Sequence, residues 1–202
     1  MTSILLTWNS TREGWDHEPS YEDMVGAIEE GDEPEMAWSV RSARYVELGE
    51  PVYLLRQGGD HRGLIGSGTV VGPPFEAKSW KNDDPSTTTY VPIRWDTMLV
   101  EEDVLPLDIL RAKVPQQYWS PQSSGNRIKP EAEDPLARLW QSHVEKAVRG
   151  FCPACGSNQV THVLIGLVPE PPDYPWIELA GCVVGDDMRN RRCESCGNRW
   201  NR

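Results

Sequence analysis

Two cysteine pairs carry the most specific chemistry in this chain. Cys152-Pro-Ala-Cys155-Gly and Cys193-Glu-Ser-Cys196-Gly are CxxC knuckles, a spacing at which both sulfurs reach one ion, and the glycine that follows each permits a tight backbone turn. Four thiolates suit tetrahedral zinc at about 2.3 Å per bond. Such a closed site leaves no position for a reactive water, so the spacing predicts one structural zinc per chain that contributes to folding instead of Lewis-acid chemistry. A redox dithiol, a single iron and an iron–sulfur cluster are the rivals, and the pairing of two knuckles favours zinc over them. Cys182, in the small apolar stretch LAGCVVG, reads as a buried structural thiol, and His162 as a solvated or core-edge histidine outside the ligand set.

A second chemistry is flat aromatic surface. The chain has nine tryptophans against two phenylalanines, and seven of the nine precede the first cysteine. Indole faces stack on bases and hold cations through the ring quadrupole, although tryptophan is also a large core filler with one polar handle. Packing accounts for most of the nine. Trp140 lies on a helical stripe, Trp119 starts a loop, Trp176 and Trp200 belong to the cysteine-bearing segment, and Trp15 and Trp80 have no assigned place. No serine or cysteine stands in an activating motif such as GxSxG, and histidines are few, so no nucleophile and base pair emerges.

Elements that position these residues can be read from pattern. Ile4 to Trp8 is a short buried strand whose end is a natural site wall. Ser20 with Asp23 forms a capping box for a helix carrying Tyr21, Met24, Val25 and Ile28 to Gly31. Pro51 to Arg56, the turn Gly58-Gly59 and Gly63 to Val71 predict a hairpin. Gly63, Gly66 and Gly68 would allow close approach of another backbone, a barrel bend or a ligand. Thr89 to Trp95 alternates as a half-buried strand, with Pro92 marking it as an edge. A short helix near Leu107 to Ala112 and the loop WSPQSSGNRI follow. The longest helix is expected to start with Asp134 as N-cap and Pro135 at N1, with Leu136, Leu139, Trp140, His143 and Ala147 on one stripe to Gly150. These elements predict an α+β fold in two modules: a small mixed β-barrel with peripheral helices over residues 1–149, and a four-cysteine zinc ribbon over 150–202.

The net charge of -11 is unevenly placed, since residues 1–40 hold ten acids and one base. The middle of the chain can still form a basic groove from Arg41, Arg44, Arg56, Arg62, Lys78, Lys81, Arg94, Arg127 and Lys129. No apolar run approaches the roughly 18 residues of a membrane span, and the start MTSILLTWNS lacks a basic flank and cleavage site. Together with paired, non-disulfide cysteines, this predicts a cytoplasmic protein with no membrane partner.

In order, TWN at 7–9, WS at 38–39, LLRQG at 54–58, RGLIGSG at 62–68, IRWD at 93–96 and WSPQSSGNRI at 119–128 resemble the EVE-like domain found at the N-terminus of modification-dependent HNH restriction endonucleases. The resemblance spans about residues 3 to 145. It implies a PUA-like barrel, related to YTH and SRA-like readers, in which a modified base such as 5-methylcytosine or 5-hydroxymethylcytosine is flipped into an aromatic cage. On it, Trp8 and Trp38 are the first cage candidates and Trp95 a weaker one. Asn9, Ser39, Arg56, Gln57, Gln122, Ser123 and Ser124 would hold the base edge or flanking phosphates. Each polar residue also has a plain reading: Asn9 capping a turn, Gln57 satisfying strand ends, QSSG an ordinary loop. The nuclease half of that family is missing, because the segment after residue 150 has one histidine and no ββα-metal pattern, and resembles a bacterial zinc-ribbon family. The implied function is a non-enzymatic reader of modified double-stranded DNA acting in restriction or phage defence with a separate, unknown effector protein. The alternatives are an RNA-binding PUA/YTH-like module and a zinc-ribbon protein-interaction scaffold.

Overall fold

The computed structural model describes residues 2–11, 15, 19–41, 45–79, 86–166, 174–181 and 189–201. Arg44, Trp80, Lys81 and Cys182 lie outside the described residues. Two compact units divide the chain, Met1–Gln141 and Ser142–Arg202. Among the described residues no helix is long and apolar enough to cross a membrane.

The first unit is built on the strand Ile4–Asn9 (β1). Ile4, Leu5 and Leu6 are all fully buried, a continuous apolar run as expected where both faces of a strand are covered. Its neighbour Pro51–Gln57 (β3) runs parallel to it, with Trp8 opposite Arg56 and Asn9 opposite Gln57. Parallel neighbours need a crossover, and the intervening chain supplies the helix Tyr21–Glu29 (α1) and the strand Glu35–Ser39 (β2). Ser20 caps α1 reciprocally: its Oγ accepts from the Asp23 amide at 3.1 Å and donates to the Asp23 carboxylate at 2.7 Å.

Beyond β3 the sheet continues through Gly63–Val70 (β4) and Thr87–Met98 (β6). The order is β2-β6-β4-β3-β1-β8, where β8 is the pair Asn126–Arg127; Phe75–Lys78 (β5) adds to β6 and Leu105–Pro106 (β7) to β4. A bulge between Ser67 and Gly68 bends β4 against β6, and a methyl at Gly68 would stand 2.4 Å from the Arg94 carbonyl oxygen, so the close backbone approach expected of these glycines is present there. Gly125, just before β8, bonds through its amide to Leu5 of β1 at 3.1 Å, while a methyl there would lie 2.9 Å from the Val40 main chain just past β2. The two ends of the strand order thus meet, and the mixed sheet curls into a partial barrel. With its helices it has the α+β, PUA-like architecture expected from the sequence.

Two local expectations are corrected. Pro92 does not mark an edge strand, since β6 pairs with both β2 and β4. Its carbonyl accepts from Val71, one residue past the last β4 pair, so the donor that proline lacks faces the point where β4 has ended. The long helix (α3) runs Pro130–Arg149, so Asp134 and Pro135 lie inside it. Pro130 takes the first helical position, followed by Glu131 and Glu133, and Pro135, the sixth residue, has no amide to donate to the Glu131 carbonyl one turn back. Ala132, Leu136 and Trp140 of α3 are buried, and Trp140 meets Tyr53 of β3 edge-on at 6.3 Å, so it packs as expected. A helix at Leu107–Lys113 (α2) completes this unit.

The second unit holds a four-stranded sheet ordered β10-β9-β11-β12, made of Val160–Leu164 (β9), Ile177–Leu179 (β10), Arg191–Cys193 (β11) and Arg199–Trp200 (β12). His162 of β9 is buried, with Nε2 2.8 Å from the Arg149 carbonyl; it is a core histidine distinct from the cysteine cluster.

Candidate nucleic-acid interface and metal centre

The C-terminal ends of β1 and β3 converge with the loop before β8. Pro121 offers its carbonyl to Gln57 Nε2 at 2.9 Å, and Ser124 Oγ accepts from the Thr7 amide at 3.2 Å. The QSSG loop is therefore fastened beside the strand ends, with Gln122 exposed, Ser123 and Ser124 half-buried, and the Ser123 carbonyl accepting from the Asn126 side chain.

An aromatic cluster lies over these strand ends. Trp8 is 7% exposed and Trp38 4%. The structure joins them through Trp15, which sequence reasoning left without a place: its ring is 5.1 Å from Trp8, edge-on, and 5.4 Å from Trp38, tilted. Tyr21, at the start of α1, lies 5.4 Å from both Trp8 and Trp15. Trp95 is fully buried and packs edge-on against Trp38 at 5.8 Å, a second row behind the wall. Burial foremost, reinforced by the Glu101 charge, pushes the Tyr21 phenol up, so it stays protonated and donates to the Leu99 carbonyl.

The polar candidates are placed as follows. Arg56 is buried beneath the cluster with its guanidinium 5.5 Å from the Trp8 ring centroid, an ion pair to Glu101 at 2.7 Å and a bond to the His61 carbonyl at 2.5 Å. Asn9 Oδ1 accepts from the Thr11 amide at 3.2 Å and its hydroxyl at 2.9 Å, the turn-capping role read from its residue type. Ser39 and Thr88 hydroxyls lie 3.4 Å apart across β2 and β6. Of the basic residues considered for phosphates, Arg56, Arg94 and Arg127 are ion-paired to Glu101, Glu33 and Glu50. Tyr21, Glu101 and Trp15, which the sequence did not single out, contact the candidate residues Trp8, Trp38 and Arg56. Tyr21 was legible only as a helix core position, and nothing local marks Glu101 as the partner of Arg56.

In the second unit the ligand atoms of Cys152, Cys155, Cys193 and Cys196 lie within 4.8 Å of one another. Sulfur pairs stand 3.6 Å apart for Cys152 and Cys196 and 3.7 Å for Cys155 and Cys193. A tetrahedron with bonds of about 2.3 Å has edges of about 3.8 Å, whereas a disulfide is about 2.05 Å, so the donor set fits a four-thiolate ion site. The knuckles are near copies. Cys152 bonds by its amide to Ser157 at 2.8 Å and receives the Gly156 amide at 2.8 Å; Cys193 does the same with Asn198 at 2.8 Å and Gly197 at 2.9 Å. Crowded thiols split their proton affinities. Burial opposes ionisation of Cys152, but the amides of Ala154 and Cys155 and the neighbouring thiols bring it down to about 6; at Cys196 the Asn198 amide favours the thiolate, yet Cys155, burial and the other sulfurs raise it to about 12. A divalent cation relieves that conflict.

No family model matches the chain, and no curated protein does. Among solved structures, a hypothetical protein from Leishmania major superposes with a TM-score of 0.50 at 14% identity, over 71% of this chain and 97% of that one, and shares the fold. Human THYN1 in complex with 5-methylcytosine-containing DNA gives 0.49 at 16% identity over 69% and 97% of the two chains. The YTH domain-containing protein mmi1 in an RNA complex gives 0.42 at 14% over 73% and 83%.

Proposed function

We propose, from an EVE-like, YTH-related fold whose strand ends carry Trp8, Trp38 and Arg56, that this chain is a non-enzymatic reader of modified DNA. A modified base such as 5-methylcytosine or 5-hydroxymethylcytosine would leave the stack and rest against the aromatic cluster. The supporting observation is convergence: Trp8 and Trp38, separate in sequence and on non-neighbouring strands, both meet Trp15 in one cluster above a buried arginine. The extra methyl or hydroxymethyl of a modified base would add apolar contact on the Trp8 and Trp38 rings, with Trp95 supporting Trp38 from behind, while Asn9, Ser39, Gln57, Gln122, Ser123 and Ser124 would hold the base edge or flanking phosphates. Arg56 contributes by holding Trp8 and the turn after β3 in place. Reading is assigned to residues 1–149, and residues 150–202 form a ribbon whose four cysteines hold one structural zinc. A role in restriction or phage defence with a separate effector rests on the family resemblance.

Competition binding at fixed salt tests this, because phosphate contacts set a background affinity that depends on ionic strength. Duplex carrying the modified base should bind at least about tenfold more tightly than plain duplex, and Trp38→Ala should erase that preference, as base–aromatic stacking is worth about 1–3 kcal/mol. Equal affinity for both duplexes sinks the reading. Binding of methylated RNA with none of modified DNA would replace it with an RNA reader.

A further inference from the structure

Trp15 sits at the centre of the aromatic cluster, and its origin sets it apart from its neighbours. Trp8, Trp38 and Trp95 stand on β1, β2 and β6 and Tyr21 opens α1, whereas Trp15 belongs to no strand or helix. Its ring touches Trp8, Tyr21 and Trp38 at 5.1, 5.4 and 5.4 Å, and its Nε1 donates to the Pro19 carbonyl at 3.0 Å. It is half-buried, while the walls it touches are buried. A base sandwiched between two rings needs contact of about 3.5 Å on each face, hence about 7 Å between the flanking centroids. At 5.1 Å from Trp8 and 5.4 Å from Trp38, the Trp15 ring leaves no room for a base between itself and either wall. The group in contact with both walls is an indole, a planar bicyclic ring with one N–H donor and dimensions close to those of a nucleobase.

We propose that Trp15 is the resident occupant of the base site, so that ligand binding exchanges one planar ring for another. The inference rests on the base-reading role given above to Trp8 and Trp38. Exchange fixes the class of ligand. A free base or nucleoside offers ring contact with Trp8 and Trp38, which Trp15 already makes, edge-on and tilted, at the high effective concentration of an intramolecular group. A base within a polynucleotide adds phosphate contacts, and these tip the exchange. The site therefore selects polymer-borne bases over free nucleosides by competition with its own side chain.

Calorimetric titration of the full chain and of Trp15→Gly with 5-methyl-2′-deoxycytidine, N6-methyl-2′-deoxyadenosine and indole tests the exchange. At least one nucleoside should bind Trp15→Gly about tenfold or more tightly than the unsubstituted chain, in keeping with three ring contacts removed, and indole should compete with it. Equal nucleoside affinity for both proteins overturns the proposal. So does a variant that binds indole but neither nucleoside, because the vacated space is then a core cavity. Should Trp15→Gly not fold, Trp15→Phe should give a smaller gain, and no gain counts against the exchange. In the unsubstituted chain labelled with 5-fluorotryptophan, the Trp15 resonance, identified by its loss in Trp15→Phe, should move on saturation with modified duplex; a resonance that stays in place in the saturated complex also overturns it. Failure of the base-reading role itself is read separately, as Trp38→Ala leaving duplex discrimination intact.

Discussion

Arg56 shows how a single side chain joins the site to the sheet. Its guanidinium lies against Trp8, bonds the His61 carbonyl beyond the Gly58-Gly59 turn and pairs with Glu101, so one buried cation fixes an aromatic wall and a loop together. Removing the partner leaves that charge buried and unbalanced. Glu101→Gln should cost about 1–3 kcal/mol, below the range for fully buried pairs because Glu101 is one-third exposed, and urea denaturation of the first unit measures it. LLRQ identified Arg56 as a site candidate, and its role followed only when Glu101, forty-five residues later, came beside it. Asn9 is the converse: its turn-capping bond reaches only to residue 11, and so the residue type alone anticipated it.

At the level of elements, the parallel pair β1 and β3 creates the site by placing two strand ends side by side, and closure of the barrel brings β2 round to them. Gly125 stands at that closure with φ of +89°, where a methyl would lie 2.9 Å from the Val40 main chain. Gly125→Ala should therefore destabilise the first unit by about 2 kcal/mol or more, since both the backbone conformation and the space oppose a methyl group, and chemical denaturation midpoints would show it. Ser20→Ala, which removes the cap of α1, should cost about 1 kcal/mol by the same measurement. The α1 boundaries and the β3-β4 hairpin were readable because caps and turns are local chemistry. Strands β2, β5, β7 and β8 were not, being short and lacking an apolar alternation strong enough to declare itself; partner strands define them.

For the whole molecule, two units with separate sources of stability predict separable unfolding. The ribbon sheet is small, and an ion held by the four cysteines would supply what its core lacks. Chelation, or Cys193→Ser, should abolish hydrogen-exchange protection in β9 and β11 while leaving that of β1, β3 and β4 largely unchanged. Each thiol surrenders a proton to bind metal, so affinity falls as pH falls. Acidification from neutrality should therefore weaken retention of a bound ion, as a chromophoric chelator would report. The amino-acid sequence determined by itself whatever depends on near neighbours: the sulfur knuckles, the capped helix, the hairpin, the excess of indole and the strand that ends in Trp8. Tertiary structure decided which indoles meet, that Trp15 contacts both Trp8 and Trp38, and that three of the basic residues are ion-paired to glutamates. Those outcomes depend on the curl of the sheet and on contacts between residues far apart in the chain, for which local propensity carries no signal.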